Sequence, residues 1–202
     1  MPEGSYRHDD GTVEAFRCAP GPAGWRYAAV VAGGRVDVTV DGLGRQLRVE
    51  VVAGAWRLRG GVAGAHTRWL RVATAPSIDD ATEHSASAAG FTGRSPGLLV
   101  ATAWKLRLTS GEAIRVRLAE ITEPFLAVRL TTQEWTLAGV DRHDGLDIAH
   151  YRIADLDTGE PAEVSLAGDV VLSGPGVELM ALDGPPSAAP SANVTNPGGG
   201  GS

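Results

Sequence analysis

The sequence predicts a mainly β fold in which a strongly curved antiparallel sheet of about eleven strands wraps around one central helix. Three observations predict it. Apolar and polar residues alternate with period two through most of residues 25–72 and 113–182, as in strands with one wet face. Residues 95–108 break that pattern with helical spacing. So much sheet does not stay flat; it curls until the helix plugs its concave face.

The first strand spans 25–31, where the apolar tail Ala28, Ala29, Val30 and Val31 points to burial on both faces. Gly33-Gly34 turns the chain into 35–41, with Val36, Val38 and Val40 on one side and Arg35, Asp37, Thr39 and Asp41 on the other. Asp41-Gly42-Leu43-Gly44 supplies turn residues. The return strand places Leu47, Val49 and Val51 inward and Gln46, Arg48 and Glu50 outward. Residues 55–59 set Trp56 and Leu58 against Arg57 and Arg59, and 67–72 follow as a further strand. The outward charges read as solvated cross-strand pairs, worth about 0.2–1 kcal/mol each.

Residues 73–92 carry Pro76, Asp79, Asp80, Glu83 and His84 in a loop of about twenty residues, a length that marks a lid or binding loop. The helix comes next. Ser95 sits at the N-cap, its hydroxyl accepting from a first-turn N–H, and Pro96 opens the first turn without losing a bond. Leu99, Ala103 and Leu106 form the apolar stripe, widened by Leu98, Val100 and Trp104. Beyond it, 113–118 resume the sheet with Ile114, Val116 and Leu118 inward, and Pro124 bends the chain. In 126–137 the inward set changes parity, which requires a bulge or turn between Thr131 and Glu134. Residues 146–155 pair with 161–167, and 169–172 with 177–182. Residues 1–183 read as one curved-sheet domain. The Ser/Ala/Pro/Asn/Gly stretch 184–202 reads as a disordered tail whose end resembles a flexible linker.

Composition narrows the function. The net charge of −6 argues against a nucleic-acid or acidic-membrane partner, because phosphate binding needs a basic surface. Lys105 is the only lysine among the basic residues, which fits a GC-rich bacterial genome. Cys18 is alone, so no intrachain disulfide forms. A polar N-terminus without an apolar run, and no apolar stretch of about 20 residues, point to a cytoplasmic protein without a transmembrane segment.

Gly93-Arg94-Ser95-Pro96-Gly97 matches the G-x-S-x-G pattern of hydrolase nucleophile elbows. The residue after the serine is Pro96, which has no N–H to give an oxyanion hole, so the stretch reads as a helix cap and the protein as no enzyme. Asp141, His143, Asp144 and His150 read as a solvated loop without metal-ligand spacing. The five tryptophans, Trp25, Trp56, Trp69, Trp104 and Trp135, are core packing or the lining of an apolar cavity.

From Ser95-Pro96-Gly97-Leu98-Leu99 through Leu108-Thr109-Ser110-Gly111 and the closing hairpins, the chain resembles spiral β-roll and open half-barrel proteins. These include lipoprotein carriers and a bacterial family assigned to glycolipid binding. The resemblance implies an acyl chain held between helix and sheet. The expected function is therefore a cofactor-free binding protein for an apolar or amphipathic molecule, a lipid or glycolipid, lined by Phe91, Leu99, Trp104, Trp56 and Trp135. The alternative is a protein-interaction module with a solid core and no small-molecule ligand.

Overall fold

The computed structural model of the protein describes residues 1–21, 24–74 and 82–187. Among them the chain forms β1 (Glu3–His8), β2 (Val13–Gly21), β3 (Gly24–Val31), β4 (Gly34–Asp41), β5 (Gln46–Ala53), β6 (Trp56–Ala63), β7 (His66–Ala73), β8 (Thr82–Ser87) and β9 (Phe91–Gly93). The helix α1 (Pro96–Leu106) follows, then β10 (Ala113–Thr122), β11 (Ala127–His143), β12 (Leu146–Asp155), β13 (Pro161–Ala167), β14 (Val170–Gly174) and β15 (Val177–Asp183). The fold is mainly β, one strongly curved sheet around one helix, with fifteen strands in place of the expected eleven or so.

The four strands beyond expectation are β1, β2, β8 and β9, and they explain the curvature. Strand order along the sheet is β8-β7-β6-β5-β4-β3-β2-β1-β15-β14-β13-β12-β11-β10-β9, so β1 pairing with β15 welds the first meander to the second. The two ends of the sheet, β8 and β9, are consecutive in the chain. Laid flat, fifteen strands at about 4.8 Å spacing would hold those ends roughly 67 Å apart. The link from Ser87 to Phe91 reaches about 14 Å at most. The sheet must therefore roll up. Along the seam, the Ala89 amide donates to Arg117 O, and the Ala119 amide to Gly90 O, tying the connecting segment to β10.

Neighbouring strands are antiparallel except β9 and β10, which are parallel because α1 provides the crossover between them. Nine of the eleven helix residues, Pro96 through Trp104, are buried. A helix apolar all round belongs inside, and α1 packs against β4, β9 and β14 in one core with Phe16, Tyr27, Val38, Leu58 and Trp135.

Several expectations are corrected. Of the anticipated loop 73–92, residues 82–87 are an edge strand on β7 and 91–93 pair with β10; Asp79 and Asp80 lie outside the described residues. No parity change occurs near Thr131. Pairing of β10 with β11 runs unbroken from Ala113↔Thr136 to Thr122↔Ala127, and the irregularity falls between Leu137 and Gly139. Ile114 and Leu47 are exposed instead of inward. The Asp141–His150 stretch is a hairpin, closed by Asp144 and Gly145, both at positive φ as a two-residue type I′ turn requires. Residues 184–187 run back over the sheet, where the Ser187 amide donates to Asp169; the tail from 188 onward lies outside the described residues.

Candidate functional site

The two ends of α1 differ. At its start, Ser95 takes the N-cap backbone conformation without making the expected cap hydrogen bond. Its hydroxyl instead donates to Glu14 Oε1 at 2.6 Å. The Tyr27 hydroxyl donates to the same oxygen at 2.7 Å, and His8 Nε2 lies 2.9 Å from Glu14 Oε2. All four side chains are buried, and burial followed by the Glu14 charge drives the Tyr27 hydroxyl well above its ordinary pKa. A hydrolase would hold its serine on an imidazole; here a carboxyl stands between Ser95 and His8. The cluster pins the helix start to β2 and β3. Gly97 serves the same joint, because a Cβ there would stand 2.3 Å from Cδ1 of the Tyr27 ring.

At the other end the helix stops short. Eleven helical residues reach about 16 Å, whereas the seventeen residues of β11 reach about 58 Å before curvature. Arg107, in the left-handed region at φ 49°, terminates the helix, its amide returning to Ala103 O. Beyond that point the inner faces of β11, β12 and β13 continue without helical cover among the described residues. The result is a cavity of about 470 Å3. Trp104 and Leu108 form its helix side, Leu137, Ala149, Tyr151 and Leu166 its sheet side, and Val140, Leu146 and Asp147 of the β11–β12 hairpin its rim.

Pro186 and Ser187 border the cavity as a strap. The strap is held by Asp169, a buried carboxyl that accepts the Ser187 amide at 2.6 Å and the Trp25 indole N–H at 3.1 Å. Burial pushes Asp169 above the usual carboxylate range, with these two donors pulling the other way. Trp25 in turn lies against Trp104, ring centres 5.1 Å apart. Inside the cavity wall, burial alone raises the Tyr151 hydroxyl, which has no hydrogen-bond partner among the described residues. No Arg, Lys or His is among the residues lining this cavity. Chemically, the space accepts an apolar chain, one hydrogen bond at Tyr151 and donors at Asp147.

Of the five residues expected to line a ligand site, Trp104 borders this cavity. Trp135 is fully buried behind the wall, edge-on to Tyr151 at 5.7 Å. Leu99 is buried in the core, on the face of the helix toward Gly174 of β14. Phe91 is fully buried at the seam, its backbone N–H and C=O both held by the Gln46 side chain. Trp56 lies on the inner face of β6, half-buried, with the Arg71 guanidinium 3.6 Å over its ring. Sequence reasoning did not single out Tyr151, Leu108, Ala149 or Leu166 as cavity residues. The available signal was the mismatch between a short helix and the long strands that follow it.

Among the described residues no group of three or more His, Cys, Asp or Glu side chains is placed to hold a metal ion, and no helix is long and apolar enough to cross a membrane. No family model and no curated protein matches the chain. Among solved structures it is similar to a DUF1089 family protein from Pseudomonas aeruginosa, at 17% identity and a TM-score of 0.49, over 87% of this chain and 91% of that one.

Proposed function

We propose that the protein binds an apolar or amphipathic molecule, a lipid or glycolipid with an uncharged head, in the cavity at the C-terminal end of α1. The observation that carries this reading is the cavity itself. Its 470 Å3 or so falls within the range of small-molecule sites, about 300–1,000 Å3, and its walls are apolar with few polar groups. A solid-core interaction module has no use for such a space. The head group follows from the charges. Asp147 at the rim repels carboxylate or phosphate, and no cation lines the cavity to attract one. Hydroxyl donors, as on a sugar, suit Asp147 and the Tyr151 hydroxyl, which is unpaired among the described residues. The protein acts by holding this molecule, with no covalent step.

Trp104 reports occupancy. Titration with a medium-chain alkyl glycoside below its micellar concentration gives saturable change in tryptophan fluorescence, and the fatty acid of equal chain length binds more weakly. No saturable change with glycoside, alcohol or acid overturns the proposal.

A further inference from the structure

The outer face of β3–β7 carries a charge arrangement on the opposite side of the sheet from the cavity. Glu50 of β5 points to that outer face, opposite in parity to the core residues Val49 and Val51, yet it is only 3% exposed because four arginines roof it. Arg35 and Arg48 donate to it at 2.8 and 2.7 Å, Arg59 at 2.9 Å, and Arg57 Nε stands 3.7 Å away. One carboxylate cannot neutralise four guanidinium groups. The cluster keeps three positive charges in excess, on side chains about half exposed. Register also interleaves two of these arginines with valines in one row across five strands, Val30↔Arg35↔Val52↔Arg57↔Val72, and Val30 is 65% exposed.

The rest of the molecule heightens the contrast. Residues 24–73 hold eight arginines against three carboxylates, whereas residues 109–187 hold five against fourteen. The rolled sheet sets β5 and β12, eight strand spacings apart in a circuit of fifteen, on opposite walls about 23 Å apart. That exceeds the Debye length of about 8 Å at physiological salt several-fold, so the acidic half does not cancel the basic face.

We infer that this face docks on an anionic bilayer surface, its local excess of arginine outweighing the net charge of −6 that argues against an acidic-membrane partner. The excess charge complements acidic headgroups, and the Glu50 carboxylate fixes the guanidinium groups beforehand, which limits the entropy lost on docking. Val30, exposed at the end of that row, adds a shallow apolar contact. A single-stranded nucleic acid would need aromatic rings to stack its bases, and neither this row nor the Glu50 cluster has one. This inference does not depend on what fills the cavity.

Co-sedimentation with phosphatidylcholine vesicles, with and without phosphatidylserine, tests it. The intact protein binds the phosphatidylserine vesicles selectively, and high salt releases it. Each excess arginine removed costs about five-fold in affinity, so Arg35→Gln with Arg59→Gln costs roughly 25-fold. Val30→Glu, at an exposed position outside the Glu50 cluster, weakens binding without touching the core, and Arg152→Gln on β12 leaves it unchanged. Equal binding to both vesicle types, no effect of Val30→Glu, or tighter binding to nucleic acid than to phosphatidylserine overturns the inference.

Discussion

The Ser95 hydroxyl donates to Glu14 Oε1 at 2.6 Å, joining the start of the central helix to β2 across 81 residues of chain. A serine before Pro96 has the sequence of a helix cap and the position of one, yet its hydroxyl satisfies a buried carboxyl instead. The two roles make opposite predictions for Ser95→Asp. Aspartate is as good a cap as serine, so a capping role leaves stability unchanged. Next to Glu14 it buries a second carboxyl, and we expect a loss of about 3 kcal/mol, read as a lower urea midpoint.

Gly97→Ala separates intrinsic helix preference from packing. Alanine gains up to about 1 kcal/mol inside a helix. The new methyl, however, meets the Tyr27 ring at 2.3 Å, and that ring cannot swing aside while its hydroxyl stays on Glu14. A net loss of about 1–3 kcal/mol is expected. Stabilisation by this substitution would show that the ring moves freely.

Two buried carboxyls give stability opposite dependences on pH. Glu50 is pushed from its usual 4.5 down to about 2, chiefly by the hydrogen bond from Arg48 and then by Arg35 and Arg59, against the cost of burial. Its contribution is complete above about pH 4.5 and lost as pH falls toward 2. Asp169 is raised by burial, so its contribution is complete at low pH and lost as pH rises through its folded value. Urea midpoints of Glu50→Gln should therefore lack part of the wild-type decline below pH 4.5. Those of Asp169→Asn should gain on wild type as pH rises above the ordinary aspartate range. Parallel curves for either variant and wild type would contradict the corresponding assignment.

The cavity also has a stability signature. Leu166 is buried at its wall, and Leu166→Ala enlarges an existing void, costing about 2–4 kcal/mol. Ala149→Phe points a ring into space already empty and should change stability by less than about 1 kcal/mol. A large loss from Ala149→Phe would mean that the space is not available to a ligand of that bulk.

Much of the sheet is legible in the alternation of residues. Val36, Val38 and Val40 are buried and Arg35 exposed, as period two requires. Where it misleads, a distant partner has intervened. Gln46 faces inward and Leu47 outward because Gln46 clamps the backbone of Phe91, 45 residues away, and the strand bulges to let it. β1 and β2 lie in a stretch where Glu14 and His8 occupy inward positions, so the polar cluster hides the period. β8 and β9 are an exposed edge strand and a strand of three residues. Of the candidate site, the aromatic content and the helix were readable, and Trp104 was among the residues named. Tyr151, Ala149 and Leu166 were not, because an inward residue on a strand looks the same whether it meets packed side chains or empty space.

The central claim is that the hollow beyond Trp104 receives an apolar chain. Fluorescence titration of wild type and Ala149→Phe with one medium-chain alkyl glycoside tests it most directly, with circular dichroism confirming that both remain folded. Saturable binding by wild type, abolished in the variant, is the expected result. Equal binding by the two proteins would place the ligand elsewhere, and binding by neither would leave the hollow without the role given to it here.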